Sequence, residues 1–164
     1  MIIQELLEIL VSSNDIGLEI SEIEGDAILF YKFGDPPSLE DIYRQVEKMF
    51  CEFHKSLLSY EQHRYCQCKA CADTIDLTLK VITHYGEFTG YNVRQFNKLI
   101  GKDIIVAHQL LKNDIELHEY WLVTPTLPEI IIHRRILRNG CNGKAVLNKP
   151  KAERSPSCIH SLAS

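Results

Sequence analysis

Two stretches of the sequence decide the fold, LEISEIEGDAILFYKFG (Leu18–Gly34) and LKVITHYGEFTGYNVRQFNKLIGKDIIVAHQLLKN (Leu79–Asn113). In the first, two apolar segments flank a Gly-Asp tip, and because glycine allows unusual backbone angles, the pattern predicts a β-hairpin. The second predicts a strand that ends in a Gly-Glu turn, a strand around Tyr91–Phe96 that pairs with it, and a helix that begins after Gly101.

The remaining elements follow from the spacing of apolar residues. Helical spacing predicts an opening helix over Ile2–Leu10 and a long helix over Leu39–Leu57. Alternation over Ile75–Val81 predicts a strand with one solvent-exposed face, and Glu119–Thr124 predicts a final strand. We therefore predict one α+β domain over residues 1–124, with a mostly antiparallel sheet and helices packed on one side.

The pattern ends near residue 125, and the composition then becomes rich in Pro, Ser and Lys. Residues 125–164 are predicted to form a basic disordered tail, with a tail foreign to the domain, from an altered reading frame, as the alternative. From His133 onward there are seven Lys/Arg and one acid, whereas Met1–Ile132 holds eleven bases and twenty-one acids. This acidic body argues against nucleic-acid binding.

The sequence also predicts where the protein resides. No apolar run approaches the roughly 20 residues of a membrane helix, which argues against a membrane partner. The opening MIIQELLEIL carries two glutamates and no basic segment, so it does not resemble a secretory signal. We expect a cytoplasmic protein, in which the six cysteines are thiols or metal ligands rather than disulfides.

A short cluster of soft ligands lies between the long helix and the second predicted strand. His63, Cys66, Cys68 and Cys71 place one imidazole and three thiols within nine residues. Cytosolic thiolates at short spacing favour tetrahedral zinc, so a zinc-stapled loop is one interpretation, with Cys51 or His54 as an additional ligand. Three unligated thiols in a surface loop are the alternative.

Four motifs together carry a family resemblance: EIEGDA at Glu22–Ala27, CxCxxC at Cys66–Cys71, HYGE at His84–Glu87, and the Gly-x-Asp helix of Gly101–Asn113. Over about Ile2–Thr124 the chain resembles the catalytic domain of class III nucleotidyl (adenylate/guanylate) cyclases, and is most similar to an uncharacterised bacterial branch of that family. The resemblance implies a ferredoxin-like cyclase-homology sheet and a head-to-tail homodimer. It also implies that the first strand is missing, because this chain starts at the helix that normally follows that strand.

The resemblance places a nucleotide site on specific residues. The family's reaction joins a ribose 3′-hydroxyl to the α-phosphate of a nucleoside triphosphate and uses two divalent cations, Mg²⁺ or Mn²⁺. Asp26 matches the second metal-binding aspartate, although a solvated turn residue is the alternative interpretation. Glu22 and Lys98 fall at the two base-selecting positions. Glu22 matches guanylate-selective enzymes, whereas Lys98 matches neither nucleotide type.

Two positions on the helix after Gly101 depart from the family pattern. Ile105 stands where the resemblance implies a ribose-orienting asparagine, and Gln109 stands where it implies a transition-state arginine. Neither supplies a positive charge, and losing such an arginine typically costs a factor of about 10³ or more in rate. His84 and His108 are expected to be packed or hydrogen-bonded histidines.

Three functional hypotheses follow. The first is a catalytically incompetent cyclase-like domain with a binding or regulatory role, whose nucleotide binding is open. The second is a fragment of an active cyclase that makes cyclic AMP or cyclic GMP. The third is a zinc-stapled interaction module.

Overall fold

A computed structural model describes residues 2–63, 66, 68–94, 96–124 and 158–163. The helices are α1 (Ile2–Ser12), α2 (Leu39–His63), α3 (Lys69–Asp73) and α4 (Lys102–Leu111), with a 3-10 turn over Thr74–Asp76. The strands are β1 (Glu19–Glu24), β2 (Ala27–Lys32), β3 (Lys80–Tyr85), β4 (Thr89–Val93), β5 (Phe96–Ile100), β6 (Tyr120–Val123) and β7 (Cys158–Ala163). The predicted α+β class is confirmed.

The local signals for the first hairpin and the long helix are confirmed in detail. Gly25 has a φ of +63° in the turn between β1 and β2, a conformation that favours glycine. The Ser38 hydroxyl accepts a hydrogen bond from the Asp41 backbone N–H at 3.1 Å just before α2, as in a capping box. Among the described residues, no helix combines the length and the apolar character needed to cross a membrane.

Five strands form the main sheet in the order β1-β2-β7-β3-β6. The neighbouring strands run antiparallel except for β3 and β6, which are parallel. The central position therefore belongs to β7, which pairs along its whole length with both β2 and β3.

The prediction of a disordered tail is wrong for Cys158–Ala163, which form this central strand. The segment reads CIHSLA and carries no Lys, Arg, Asp or Glu, so it can pair on both edges inside a sheet. The apolar segment is short, and the Pro, Ser and Lys residues around it gave the whole region the composition of a disordered tail. The rest of the predicted tail, residues 125–157, lies outside the described residues.

The prediction that the helices pack on one side of the sheet is also wrong. Ile28 and Phe30 of β2 join the core formed with α1 and α2, whereas Leu29 packs with Ile104 and Ala107 of α4. Because successive strand residues point to opposite faces, α4 must cover the face opposite α1 and α2. The continuous apolar run of β2 is typical of a strand with both faces buried.

The predicted pairing of the strand around Tyr91 with the preceding strand is wrong as well. In the structure β4 pairs with β5, with Tyr91 opposite Lys98, to form a separate two-stranded sheet. Both edges of β3 are already occupied, by β7 on one side and β6 on the other, so β3 has no free edge to offer.

The strand predicted over Ile75–Val81 begins later than its alternation indicates, because Thr74–Asp76 form a 3-10 turn. The Leu79 N–H bonds the Glu119 carboxylate at 3.4 Å instead of a neighbouring strand. Leu77 and Leu79 still reach the main core, which accounts for their alternation without a strand ladder.

Candidate functional site

The α4 face of the sheet carries a small cleft between the β1–β2 hairpin and α4. Glu22 lies opposite Leu29 in the β1–β2 ladder, and residues directly opposite each other point to the same face. Since Leu29 packs against α4, the Glu22 carboxylate also faces that helix. The cleft has a volume of about 240 Å³ and is lined by Glu22, Glu24, Ala27, Leu29, His108, Leu111 and Lys112.

The structure brings the two predicted base-selecting residues into direct contact. Lys98 Nζ donates to Glu22 Oε2 at 2.7 Å, and His108 Nε2 lies 3.4 Å from Glu22 Oε1. The hydrogen bond to Glu22 and the negative charge of that carboxylate raise the pKa of Lys98 above its ordinary value. The contact therefore favours the charged form of Lys98, and the Glu22 carboxylate is paired within its own chain.

Sequence reasoning missed His108 as the third member of this cluster. A helical signal was available, because His108 follows Ile104 by four residues and precedes Leu111 by three, which places all three on one face of α4. Ile104 is buried against β2, so the same face carries His108 toward the hairpin.

The other residues expected at a nucleotide site do not line this cleft. Ile105 is 60% exposed on α4, and Gln109, one helical turn further on, is exposed as well. Asp26 is exposed in the turn between β1 and β2. Among the described residues, Asp26 does not form part of a cluster of three or more side chains that could hold a metal ion.

A second polar cluster joins the HYGE motif to the start of α4. His84 is buried, with Nδ1 2.7 Å from Thr124 Oγ1 and Nε2 3.3 Å from Asp103 Oδ1. The Glu87 backbone N–H donates to Asp103 Oδ2 at 2.6 Å. His84 is thus a hydrogen-bonded histidine, as expected, and Asp103 connects the end of β3 to the first turn of α4.

Two glycines allow this close approach. A Cβ at Gly86 would lie 2.2 Å from Asp103 Cγ, and a Cβ at Gly101 would lie 2.7 Å from the Glu87 carbonyl oxygen. Both distances are much shorter than a van der Waals contact. Two of the motifs behind the family resemblance, HYGE and the Gly-x-Asp helix, are therefore in contact with each other. This contact could not be predicted from the sequence, because the two motifs are far apart along the chain.

The three motif cysteines lie together at the end of α2. The Sγ atoms of Cys66, Cys68 and Cys71 are all within 4.8 Å of one another, so this cluster could hold a metal ion. The backbone N–H of Cys68 lowers the pKa of the Cys66 thiol, but hydrogen bonds with the Cys68 and Cys71 sulfurs outweigh it, and that pKa lies above its ordinary value. The sulfur of Cys71 also bonds the Tyr60 hydroxyl and raises the pKa of that group.

Neither of the two additional ligands considered from sequence, His54 and Cys51, joins the cluster. His54 Nε2 lies 2.6 Å from Glu119 Oε1, which links α2 to the start of β6. Cys51 precedes the end of α2 by twelve residues, or about 18 Å along the helix axis. His63 is in the last turn of α2 and lies outside the group of mutually close sulfurs.

Comparison with known proteins gives a family but no activity. The chain matches DUF2652, described as a protein of unknown function, over residues 3–120, and it belongs to that family. It is similar to the Uncharacterized protein Rv2561/Rv2562 of Mycobacterium tuberculosis (strain ATCC 25618 / H37Rv), with 27% identity over 127 residues. The match covers 77% of this chain and 59% of that protein, so the chain spans about six-tenths of the length of the curated relative. No solved structure matches the chain.

Proposed function

We propose that this chain is a nucleotidyl-cyclase-homology domain that does not catalyse cyclisation and acts in binding or regulation. The observation that carries the proposal is the state of Glu22, whose carboxylate is held by Lys98 at 2.7 Å and faces His108 at 3.4 Å. A base-selecting carboxylate that is already paired inside its own chain has little capacity to bind a nucleobase.

The α4 residues support the same proposal. Ile105 and Gln109 occupy the positions where the resemblance implies an asparagine and an arginine, and both are exposed. An isoleucine side chain makes no hydrogen bond, and a glutamine brings no cation to the charge that develops on a triphosphate. The cleft volume of about 240 Å³ is also below the roughly 300–1,000 Å³ typical of small-molecule pockets.

The sheet topology favours a cyclase-homology fold. A ferredoxin-like sheet places its first strand between the two strands that correspond here to β2 and β3, antiparallel to both. In this chain β7 lies in that position with that orientation. We propose that β7 occupies the position of the family's first strand.

The proposed binding role includes self-association. Tyr91, Val93 and Ile100 on the β4–β5 hairpin and Ile105 on α4 are exposed apolar residues. Those on the hairpin share one of its faces, and exposed apolar side chains grouped in this way are typical of protein contact surfaces. These residues support the homodimer that the family resemblance implies.

The first prediction is that purified protein incubated with ATP or GTP and Mn²⁺ forms no cyclic nucleotide above a protein-free control. An authentic class III cyclase, assayed in parallel, verifies that the conditions detect turnover. Formation of cyclic AMP or cyclic GMP would overturn the proposal and establish the rival hypothesis, an active cyclase. Tight capture of Mn²⁺-nucleotide, measured by equilibrium dialysis, would contradict the argument that the paired Glu22 carboxylate cannot bind a nucleobase.

The sulfur cluster favours a second candidate function, a zinc-stapled interaction module. Three thiols within 4.8 Å of one another suit a soft, tetrahedral cation, and zinc is the common choice for such ligands in a reducing compartment.

The second prediction is that protein purified without added metal carries close to one equivalent of zinc, measured by elemental analysis. Structural zinc binds with about 10–16 kcal/mol, so the ion should survive purification. Cys68→Ser is expected to lose most of it, whereas Cys51→Ser, on the body of α2, is expected to retain it. Less than about a tenth of an equivalent in the unmodified chain would end this candidate function.

A further inference from the structure

The connection between α2 and β3 contains three of the four ligands that a closed zinc site needs. Two sulfurs bound to one tetrahedral zinc at about 2.3 Å lie about 3.8 Å apart. The sulfurs of Cys66, Cys68 and Cys71 are already within 4.8 Å of one another, so adjustments of about 1 Å would bring them to that spacing. A structural site has no open coordination position, and a fourth protein ligand is therefore required.

The last turn of α2 faces the sulfur cluster. The α2 helix ends at His63, only three residues before Cys66, and the interaction with the Cys71 sulfur that raises the pKa of Tyr60 is in keeping with that approach. His63 follows Tyr60 by three residues, and residues three apart share one face of a helix. The helix therefore places His63 on the same side as the sulfurs, and its imidazole, which lies outside the group of mutually close sulfurs, moves inward when an ion binds.

The imidazole of His63 is prepared for metal binding by its own helix. Its Nδ1 lies 2.8 Å from the Ser59 carbonyl oxygen. A carbonyl oxygen only accepts hydrogen bonds, so Nδ1 carries the proton and Nε2 carries the free lone pair. This is the arrangement in which metal-binding histidines are usually held, with the non-ligating nitrogen donating to a carbonyl or carboxylate.

We propose that His63 Nε2 is the fourth ligand of a closed zinc site with Cys66, Cys68 and Cys71, and that the site ties the last turn of α2 to α3. The proposal rests on the second candidate function, that the sulfur cluster takes zinc. Cys68 immediately precedes α3 and Cys71 lies within it, so a bound ion fixes this short helix against α2. The position of the segment that connects α2 to β3 then depends on the bound metal.

The third prediction tests the fourth ligand directly. The full chain is stripped of metal and titrated with Zn²⁺ against a competing chelator, with His63→Ala compared with His118→Ala. His118 is an exposed histidine outside the cluster and serves as the matched control. Removing even an outer hydrogen-bond partner of a ligand costs about 10–100-fold in affinity, so losing the ligand in His63→Ala should cost at least about 100-fold. His118→Ala should leave the affinity within about twofold, in keeping with a group outside the coordination shell.

X-ray absorption on the zinc-loaded chain supplies a readout that a purely structural role of His63 would not change. We expect three sulfurs at about 2.3 Å and one nitrogen at about 2.0 Å, with the nitrogen lost in His63→Ala. An unchanged affinity of His63→Ala, or a shell of three sulfurs and one oxygen in the unmodified chain, would overturn the assignment of His63 while leaving zinc binding intact. Failure of the unmodified chain to bind zinc at all would instead remove the second candidate function and this assignment together.

Discussion

Gly86→Ala is expected to destabilise the protein by about 3 kcal/mol, because the new methyl group would lie inside the Asp103 carboxylate. The Cβ position is 2.2 Å from Asp103 Cγ and 2.5 Å from Oδ2. Asp103 would have to move, and it would then lose its contacts with the Glu87 N–H and with His84. Chemical denaturation followed by circular dichroism measures the change in the free energy of unfolding.

Gly90→Ala is the matched control for this steric argument. A Cβ at Gly90 would have its nearest neighbour, Phe33 Cζ, at 3.5 Å, which is ordinary contact. Its effect should stay within about 0.5 kcal/mol. Asp103→Gly removes both the carboxylate and the Asp103 Cβ, which would lie 2.3 Å from the new methyl group, so Gly86→Ala should cost much less in that background, as a double-mutant cycle would show. A small effect of Gly86→Ala in the unmodified chain, or strict additivity of the two substitutions, would contradict the explanation.

Ser161→Pro is expected to cost about 3 kcal/mol or more, because it removes a backbone donor from the middle of the central strand. Ser161 lies opposite Leu29 of β2 and opposite Ile82 of β3, so both ladders pass through this position. Thermal unfolding measures the loss, and hydrogen exchange of the β2 and β3 amides reports whether their protection falls with it.

Ser161→Ala provides the control, since it keeps the backbone N–H that proline lacks. It should shift the midpoint of unfolding far less than the proline variant does. If Ser161→Pro unfolds at the same temperature as the unmodified chain, with full protection of β2 and β3, then β7 does not hold the centre of the sheet and the topology described above is wrong.

The parts of the fold that were predictable are those in which local pattern and tertiary environment agree. The β1–β2 hairpin has a glycine at its tip, and α2 has both a capping serine and a continuous apolar face. Each of these signals is contained within a few residues. Element type could therefore be inferred for α1, α2, α4 and the first hairpin without knowing what they pack against.

The parts that were not predictable depend on contacts between distant segments. The pairing partner of β4 depends on whether the edges of β3 are free, and that depends on a strand some eighty residues further along the chain. The position of α4 on the opposite face follows from Leu29 rather than from any residue of α4 itself. Local periodicity carries neither piece of information.

The candidate site also has a part that could be predicted from the sequence and a part that could not. The resemblance identified Glu22 and Lys98 separately, and the structure places them 2.7 Å apart. The direct pairing follows from the packing of the β4–β5 hairpin near β1, a long-range arrangement that no motif spacing encodes. The cysteine cluster was predictable because its three sulfurs come from six consecutive positions.

The central position of β7 has a consequence for how the protein is made. More than thirty residues separate β6 from β7, so a ribosome completes β1, β2, β3 and β6 well before it supplies the strand that joins the two halves of the sheet. During that interval the nascent polypeptide presents two facing rows of unpaired amides and carbonyls, which attract foreign strands. We expect a holding chaperone to matter during translation, and the yield in cells to fall when synthesis stalls between β6 and β7.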